Sequence, residues 1–322
     1  MTTMQQPIEI IRYTAERKAE WDSIVAASRN GTFIHLRDYM DYHADRFSDH
    51  SLMFYLNREP IALLPAHIAN DTIFSHNGLT YGGLLLTDAA TTDTILELFE
   101  RLREYLLHTT TVTKFIYKPV PHIYHSYPCE EELYALFRNG AVLTERKISS
   151  AIKLDRALPF KGRRKLTTAM KRRLHIVEDN DFATFWKILD SRLKSKYGVA
   201  PVHSLDEIMR LHNCLPDNIR LFRITDDNGE TLGGTVIYVT DTVAHMQYSG
   251  TTEEGRRTSA LDYLYEYLIA ERFADKEFFD FGISVEEGGK VLNSGLIAYK
   301  ERLGGRGIMY DTYTIDLKRN CE

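Results

Sequence analysis

Cysteine is scarce in this sequence. Cys129, Cys214 and Cys321 are the three cysteines among 322 residues, and they lie far apart. An odd number of widely separated cysteines excludes a disulfide framework of the kind that stabilises small secreted domains. The composition therefore fits a reducing compartment.

Long apolar runs are missing as well. No stretch approaches the roughly 18 apolar residues that a membrane-spanning helix requires. The first residues, MTTMQQPIEIIRY, lack the positively charged segment and the apolar core of a signal peptide. We therefore expect a cytoplasmic protein without a membrane span.

Neither sign of charge dominates. The chain has 40 Lys and Arg against 45 Asp and Glu, which gives a formal net charge of −5. This balance argues against a protein built to coat nucleic acid, although a local basic cluster is enough to recognise phosphate. The hydrophobic fraction of 43% is that of an ordinary globular protein.

Several common catalytic motifs are absent. The sequence has no G-x-S-x-G, no Walker A segment and no dinucleotide-binding glycine fingerprint after a first strand. This removes the commonest hydrolases, P-loop kinases and dinucleotide dehydrogenases. His122 and His125 are spaced for a metal only within a helix, and Pro121 and Pro128 oppose a helix there. We therefore expect no metal site.

The order of predicted elements is the same in the two halves of the chain. Strand, turn, helix and strand follow one another at residues 73–118 and again at 244–282. We predict an α/β fold of two tandem units, 1–149 and 150–322, with the boundary where ISSAIKLD begins a strand. In each unit, a mostly antiparallel sheet would have a helix that crosses to a parallel strand. The sequence shows no oligomerisation surface.

The turn before the second crossing helix reads TTEEGRRTSA. Gly255 permits an unusual backbone angle, Arg256 and Arg257 supply positive charge, and Thr258 can cap the helix. Because a helix N-terminus presents unpaired N–H groups, such a turn is suited to a pyrophosphate. A solvated surface turn is the competing interpretation.

A denser basic cluster lies within LPFKGRRKLTTAMKRRLHIVEDND. Leu166, Met170 and Leu174 recur every fourth residue, so the segment is predicted to be a helix with an apolar edge and cationic flanks. Its positions 161–173 include Arg164 and Arg172, which we consider as contacts for a phosphorylated substrate or the backbone of a tRNA. A solvated helix face is the alternative.

The segment SRLKSKYGVAPVHS is predicted to be a loop, because Gly198 and Pro201 interrupt helical periodicity. It contains Lys196 and His203, which we consider as substrate contacts, since loops of this kind often carry specificity. An exposed connection is an equally good interpretation. Ser204 and Glu207 then form a capping box for the next helix.

The C-terminal stretch NSGLIAYKERLGG is predicted to be a short amphipathic helix. Gly304 and Gly305 would end it, because glycine takes the left-handed conformation that closes helices. Tyr299 and Lys300 are adjacent and therefore point about 100° apart on a helix. A packing helix with a C-cap is the simpler explanation of this segment.

Taken with the preceding strands, this stretch resembles the GNAT N-acyltransferase family. The resemblance rests on the order of a strand, the EEGRRTSA turn, a helix, the strand EFFDFG, and a last helix with Asn293 and Leu303-Gly304. Many members have a tyrosine where this chain has Lys300. An aromatic-lysine pair before a double glycine, an early basic helix and the Tyr81-Gly82-Gly83 stretch are similar to the FemAB-like branch, whose members are two GNAT-type units in tandem. The long helical hairpin of some aminoacyl-tRNA-dependent members is not visible.

The resemblance implies a mechanism and a set of site residues. A substrate amine would attack a donor carbonyl held where two parallel strands separate, with oxyanion donors near Gln247–Gly250. Lys300 would stabilise charge or anchor the donor, and Tyr299 would protonate the leaving group if its hydroxyl faces that site. The remaining expected contacts fall into two groups. The donor contacts are Gly255, Arg256, Arg257, Thr258 and Asn293, and the substrate contacts are Tyr81, Gly82, Arg164, Arg172, Lys196, His203 and Tyr248.

The general base cannot be identified from the sequence. His203, Glu253 and Asp280 qualify only by residue type, and GNAT enzymes often relay the proton through water.

Three functions remain in competition. The first is transfer from acyl-CoA to the amine of a small molecule, glycan precursor or peptide, with no metal involved. The second is transfer from aminoacyl-tRNA to a cell-wall precursor or peptide, which the basic cluster favours and the overall acidity opposes. The third is a non-catalytic binding protein of the same fold.

Overall fold

The computed structural model describes residues 7–156, 171 and 173–318, and at Tyr197 it describes the backbone. The expected contacts Arg164 and Arg172 lie outside these residues, as does most of the predicted basic helix. The described strands are β1 (Glu9–Arg12), β2 (Leu52–Leu56), β3 (Glu59–Leu64), β4 (His67–Ala69), β5 (Thr72–Phe74), β6 (Leu85–Leu86), β7 (Lys114–Tyr117), β8 (Val142–Lys153), β9 (His175–Asp179), β10 (Ile219–Thr225), β11 (Thr231–Val239), β12 (Val243–Thr251), β13 (Phe278–Ile283), β14 (Val285–Glu286), β15 (Val291–Leu292) and β16 (Arg306–Asp316).

The described α-helices are α1 (Lys18–Ala27), α2 (Arg37–Met40), α3 (Thr92–Thr109), α4 (Glu131–Arg138), α5 (Phe182–Tyr197), α6 (Leu205–Cys214), α7 (Glu253–Thr258), α8 (Ala260–Tyr267) and α9 (Ser294–Arg302). A π-helical turn, Leu268–Arg272, continues α8. Among the helices that the structure describes, none is both long enough and apolar enough to cross a bilayer.

The chain divides into two compact units that are not two successive blocks of sequence. The first unit comprises residues 1–148, 285–291 and 309–322, and the second comprises 149–284 and 292–308. Strands β8 and β16 each have residues in both units. The C-terminal part of the chain therefore contributes to both cores.

The first unit contains an antiparallel sheet in the order β1-β2-β3-β6 and a second group in which β5 pairs with β7. The β5–β7 pairing is parallel, and α3 is the crossing helix between these strands. Leu98, Leu102 and Leu106 of α3 are fully or almost fully buried against Phe115 and Tyr117 of β7 in one apolar core. This apolar stripe at helical spacing supplies the burial that holds the crossing helix in place.

The second unit repeats this arrangement. Its strands lie in the order β8-β13-β12-β11-β10-β9, and β12 and β13 pair in parallel with α7 and α8 between them. Leu264 and Leu268 pack with Phe279 and Phe281 in the core. The predicted α/β fold with a helix crossing to a parallel strand is confirmed in both units.

Candidate active site

The two parallel strands of the second unit separate partway along their length. Their ladder joins Val243–His245 of β12 to Phe278–Asp280 of β13, and within the fully described ranges 243–251 and 278–283 it stops at that point. The register between β11 and β12 shifts between Val236 and Ile237, so Gln247 is an additional, bulged residue. Bulges re-aim backbone groups and are frequent beside active sites. Beyond His245, the described part of β12 therefore has no ladder pairing with β13.

A buried histidine–aspartate pair marks the point of separation. His245 Nδ1 lies 2.9 Å from Asp280 Oδ2, and the Asp280 side chain is completely enclosed. The other carboxylate oxygen of Asp280 accepts hydrogen bonds from Ser149 Oγ at 2.5 Å and from the Gly282 backbone N–H at 3.0 Å. Asp280 is therefore oriented by donors on two strands.

Lys300 lies at the end of β13. Its Nζ donates to the carbonyls of Gly282 at 2.7 Å and Ile283 at 2.8 Å, and the residue is 2% exposed. Burial lowers the pKa of Lys300 to about 8, partly offset by the negative charge of Asp280. An ammonium with no carboxylate in direct contact is an uncommon feature that often belongs to a functional site.

Tyr299, the neighbour of Lys300, points elsewhere. Its hydroxyl donates to Asp262 Oδ1 at 2.7 Å, and the ring packs against the core beside α8. Burial and the nearby negative charge of Asp262 raise the pKa of the Tyr299 hydroxyl. A hydroxyl held this way is a poor proton donor to a substrate.

Asn293 has a local structural role. Its Oδ1 accepts a hydrogen bond from the Leu296 N–H at 3.1 Å and so caps α9. Gly304, with φ 99°, follows the last turn, as the sequence predicts. A contact between Asn293 and the donor stays a prediction.

The expected glycine turn before the crossing helix is instead the short helix α7. Gly255 is buried and helical, and a Cβ there would meet the Leu232 carbonyl at 2.1 Å and Thr251 Oγ1 at 2.4 Å. Close packing, and not an unusual backbone angle, explains this glycine. The Gly255 N–H is already capped by Thr252 Oγ1 at 3.0 Å, and the first turn carries Glu253 and Glu254.

The cations of this segment face solvent. Arg257 pairs with Glu254 at 2.6 Å and is 74% exposed on its side chain, and Arg256 is exposed as well. Thr258 Oγ1 donates to the Glu254 carbonyl at 2.9 Å instead of capping α8. These contacts do not form an anion cradle.

One further expectation about charged residues needs correction. Arg192, Lys194 and Lys196 are not in a loop, because α5 continues to Tyr197 and ends at Gly198 with φ 69°. Lys196 is an exposed residue on this helix. From the basic cluster, the described Lys171 and Arg173 pair with Glu266 at 3.0 Å and Asp227 at 3.2 Å.

His203 and Tyr248, both expected substrate contacts, lie together. His203 Nδ1 is 2.5 Å from the Tyr248 hydroxyl, and Trp186 Nε1 donates to the His203 carbonyl at 3.1 Å. Both residues are buried. The capping box of Ser204 and Glu207 is present directly after them, as predicted, so residues 203–207 are fixed to β12 and to the start of α6.

Tyr81 and Gly82 belong to the interior of the first unit. The Tyr81 ring packs on Tyr124, with ring centroids 4.5 Å apart, and Tyr81 is 4% exposed. A Cβ at Gly82 would meet the Ser75 carbonyl at 2.1 Å, so this stretch is glycine-rich because two backbone segments approach closely.

His245 is the functional candidate that the sequence analysis missed. It stands in the otherwise apolar start of β12, and its partner Asp280 lies 35 positions further along the chain. The sequence offered one signal for this pair, since His245 and Asp280 are polar residues in two strands that were predicted to be neighbours. Among the described residues, no group of three His, Cys, Asp or Glu side chains could hold a metal ion.

Residues 161–301 match the family model described as an acetyltransferase (GNAT) domain. Comparison with curated proteins gave no match. Among solved structures, the chain is similar to FemX with a TM-score of 0.67 and 10% identity, covering 95% of this chain and 96% of that one. It is also similar to a tandem GNAT protein from the clavulanic acid biosynthesis pathway, with a TM-score of 0.54, 14% identity and coverage of 97% and 99%.

A further similarity is to L-PGS from Bacillus licheniformis, with a TM-score of 0.58, 10% identity and coverage of 94% and 91%. Identities this low establish the fold, while the family model identifies the domain type. These findings confirm the resemblance drawn from the sequence. Residues 161–301 match a GNAT-type acetyltransferase domain, and the chain shares its fold with FemX and with a tandem GNAT protein.

Proposed function

We propose that this protein is an N-acyltransferase that moves an acyl group from acyl-CoA to a primary amine by direct attack. The observation that carries the proposal is the separation of β12 from β13 at a bulge, beside a buried His–Asp pair and a buried ammonium. The acetyltransferase description of the matched family favours the CoA thioester as donor. The acceptor would be the amine of a small molecule, a glycan precursor or a peptide.

The reaction needs no covalent enzyme intermediate. The amine nitrogen bonds to the thioester carbon, the carbonyl oxygen takes up negative charge, and the nitrogen loses a proton. The C–S bond then breaks, and the CoA thiolate leaves and is protonated. Backbone N–H groups near Gln247–Gly250 would stabilise the oxyanion, and one such donor is worth roughly 10²–10³ in rate.

Lys300 would support this site through its charge. Its ammonium is enclosed and bonded to the carbonyls of Gly282 and Ile283, so it would fix the end of β13 and add positive potential near the oxyanion. In a water-poor site such a charge acts more strongly than at the surface. Tyr299 would have no direct part, because Asp262 holds its hydroxyl.

The experiment is a transfer assay coupled to a binding assay. Thiol release from acetyl-CoA and longer acyl-CoAs would be followed with a panel of primary amines, with thermal shifts against CoA recorded in parallel. A native-state ligand at one hundred times its Kd raises stability by about 2.7 kcal/mol. Amine-dependent thiol release that falls in Lys300→Met, with the CoA shift retained, supports the proposal. Binding of CoA without turnover for any amine would contradict it.

A second candidate is aminoacyl transfer from a charged tRNA. The geometry of α7 weakens the case for a CoA pyrophosphate there, because its first turn has two glutamates and Arg257 pairs with Glu254. Binding assays with CoA and with charged tRNA separate the two donors, and Arg257→Ala tests whether α7 takes part. A CoA shift lost in this variant places the donor at α7. Loss of aminoacyl label from tRNA, with binding that weakens steeply as salt rises, indicates the tRNA donor.

A further inference from the structure

The acceptor amine must lose a proton during transfer, and the structure holds one histidine at the point where the parallel strands separate. We propose that His245 is the general base of the reaction and that Asp280 is its positioning residue. The inference rests on the proposed function, but it is the same for a thioester donor and for an aminoacyl ester. In both cases a neutral amine nitrogen attacks a carbonyl and must give up one of its hydrogens as a proton.

The hydrogen bonds of Asp280 determine which nitrogen of His245 carries the hydrogen. Asp280 accepts from Ser149 Oγ and from the Gly282 N–H on one oxygen, which favours the ionised carboxylate. An ionised carboxylate only accepts hydrogen bonds, so His245 Nδ1, 2.9 Å away, is the donor. In the neutral imidazole, Nε2 then has the lone pair that receives a proton.

Position in the sheet places this nitrogen near the reacting atoms. His245 and Asp280 are direct partners in the parallel ladder and form its last pair. Residues opposite each other in a ladder present their side chains on the same face. Beyond them the strands separate, which is where the proposed donor carbonyl would lie.

Gly282 lies beside the imidazole in a left-handed backbone conformation that favours glycine. It has φ 74°, and a side chain built there would begin 3.5 Å from His245 Cε1. Its carbonyl receives Lys300 Nζ at 2.7 Å. Gly282 therefore lies between the His245 imidazole and the Lys300 ammonium. The imidazole thus has the negative charge of Asp280 on one side and, beyond Gly282, the positive charge of Lys300.

The proton balance of the step is simple. As the C–N bond forms, the N–H bond of the amine breaks and Nε2 takes the proton, which gives an imidazolium stabilised by Asp280. When the C–S or C–O bond of the donor breaks, the imidazolium returns the proton to the leaving group. The histidine is neutral again at the end of the cycle.

The first test uses His245→Gln and a matched control, His212→Gln. Both histidines are 9% exposed, and His212 Nδ1 is bonded to the Ile219 carbonyl away from the strand separation. We expect kcat/KM for the amine to fall about 10²–10⁴-fold in His245→Gln, with KM and the CoA thermal shift unchanged. His212→Gln should remain within about two-fold of wild type, allowing for experimental scatter.

A readout that a structural role would not change is the pH dependence of the rate. The pH profile of kcat/KM should lose its limb on the acidic side in His245→Gln, because that limb belongs to the base. Asp280→Asn should also lower kcat/KM, because the amide can donate to Nδ1 and so favours the His245 tautomer with its hydrogen on Nε2. Ser149→Ala removes one hydrogen-bond donor to Asp280 and should lower kcat/KM by a smaller factor. This variant replaces Asp280→Asn in the test if Asp280→Asn does not fold.

The outcomes separate this inference from the proposed function. If wild type transfers to no amine from either donor, the proposed function fails and this inference fails with it. If wild type is active and His245→Gln keeps its rate and pH profile, only the inference is overturned. Nitrogen NMR of ¹⁵N-histidine-labelled wild type, assigned by difference with His245→Gln, should place the hydrogen on Nδ1. A hydrogen on Nε2 at neutral pH would overturn the inference independently of any assay.

Discussion

Glu132 is a carboxyl group enclosed in the first unit. Its Oε2 accepts hydrogen bonds from the Leu84 N–H at 3.0 Å and from the Tyr117 hydroxyl. Burial raises the pKa of Glu132 to about 8. The unfolded carboxyl ionises near pH 4.5, so between that pH and about 8 the folded state holds one more proton. The free energy of unfolding therefore decreases as pH rises through this window.

Replacing Glu132 with Gln should remove this loss. The amide oxygen can still accept from Leu84 and Tyr117, while the amide cannot ionise. Relative to wild type, Glu132→Gln should gain on the order of 2–4 kcal/mol in unfolding free energy between pH 5 and pH 8. Urea unfolding at both pH values measures the gain. The exposed Glu130→Gln is the control, and an equal pH dependence in both variants would contradict the assignment.

Lys300 gives the opposite pH dependence. Burial lowers its pKa from 10.5 to about 8, so between these values the unfolded chain binds more protons than the folded one, and stability rises with pH. We expect this rise to be smaller in Lys300→Met by on the order of 2 kcal/mol, while the similar contribution of buried Lys118, whose pKa is also lowered to about 8, remains. Guanidinium unfolding at pH 8 and pH 10 measures it. The exposed Lys290→Met should keep the wild-type slope, and a slope retained by Lys300→Met would argue against a desolvated ammonium.

At the scale of elements, two helical glycines differ in what surrounds them. Gly255 in α7 has the Leu232 carbonyl where a Cβ would be placed, whereas the nearest atom to a Cβ at Gly295 in α9 is Asn293 Oδ1 at 4.0 Å. Helical propensity alone favours alanine over glycine at both positions. Only the tertiary contact distinguishes them.

Gly255→Ala should therefore destabilise the second unit by about 1–3 kcal/mol through overpacking. Gly295→Ala should stabilise it by about 0.5–1 kcal/mol. Thermal unfolding of the two variants beside wild type tests the pair, and the same sign of change in both would show that propensity outweighs packing here.

The end of α5 shows what a local sequence pattern can and cannot predict. Gly198 and Pro201 led to a predicted loop, but α5 runs to Tyr197 and Gly198 closes it with φ 69°. A left-handed glycine is a common helix end, so the same residue was a better signal for a C-cap than for a loop. By contrast, the Ser204–Glu207 capping box was predicted correctly because both partners lie within one helical turn.

At the scale of the molecule, the first unit buries several neutral histidines. His43, His67 and His76 lie together, with the rings of His43 and His76 stacked at 5.1 Å between centroids, and His35 is enclosed nearby in sequence. Burial lowers the pKa of His67 to about 4, of His76 to about 2 and of His35 to about 3, and it lowers that of His43 as well. In the unfolded chain these imidazoles take up protons below about pH 6.5.

We therefore expect the chain to lose stability as pH falls from 7 to 5, because unfolding takes up protons in this window. Glu132 acts in the opposite direction over part of it, but four histidines outweigh one carboxyl. Hydrogen exchange at pH 7 and pH 5 should show the loss first in the first unit. His67→Phe should reduce the acid sensitivity and the exposed His175→Gln should not. A pH-independent transition would contradict the buried, neutral state.

The sequence by itself determined the features that depend on residues close together in the chain. Apolar spacing predicted the crossing helix α3, glycine at 304 predicted the end of α9, and the repeated order of elements predicted a parallel strand pair in each unit. Only the tertiary structure brought His245 to Asp280, aimed Lys300 at the carbonyls of β13, and set Gly255 against Leu232. These contacts join residues 17 to 35 positions apart. They depend on strand register and on how closely backbones approach, and no local propensity encodes either.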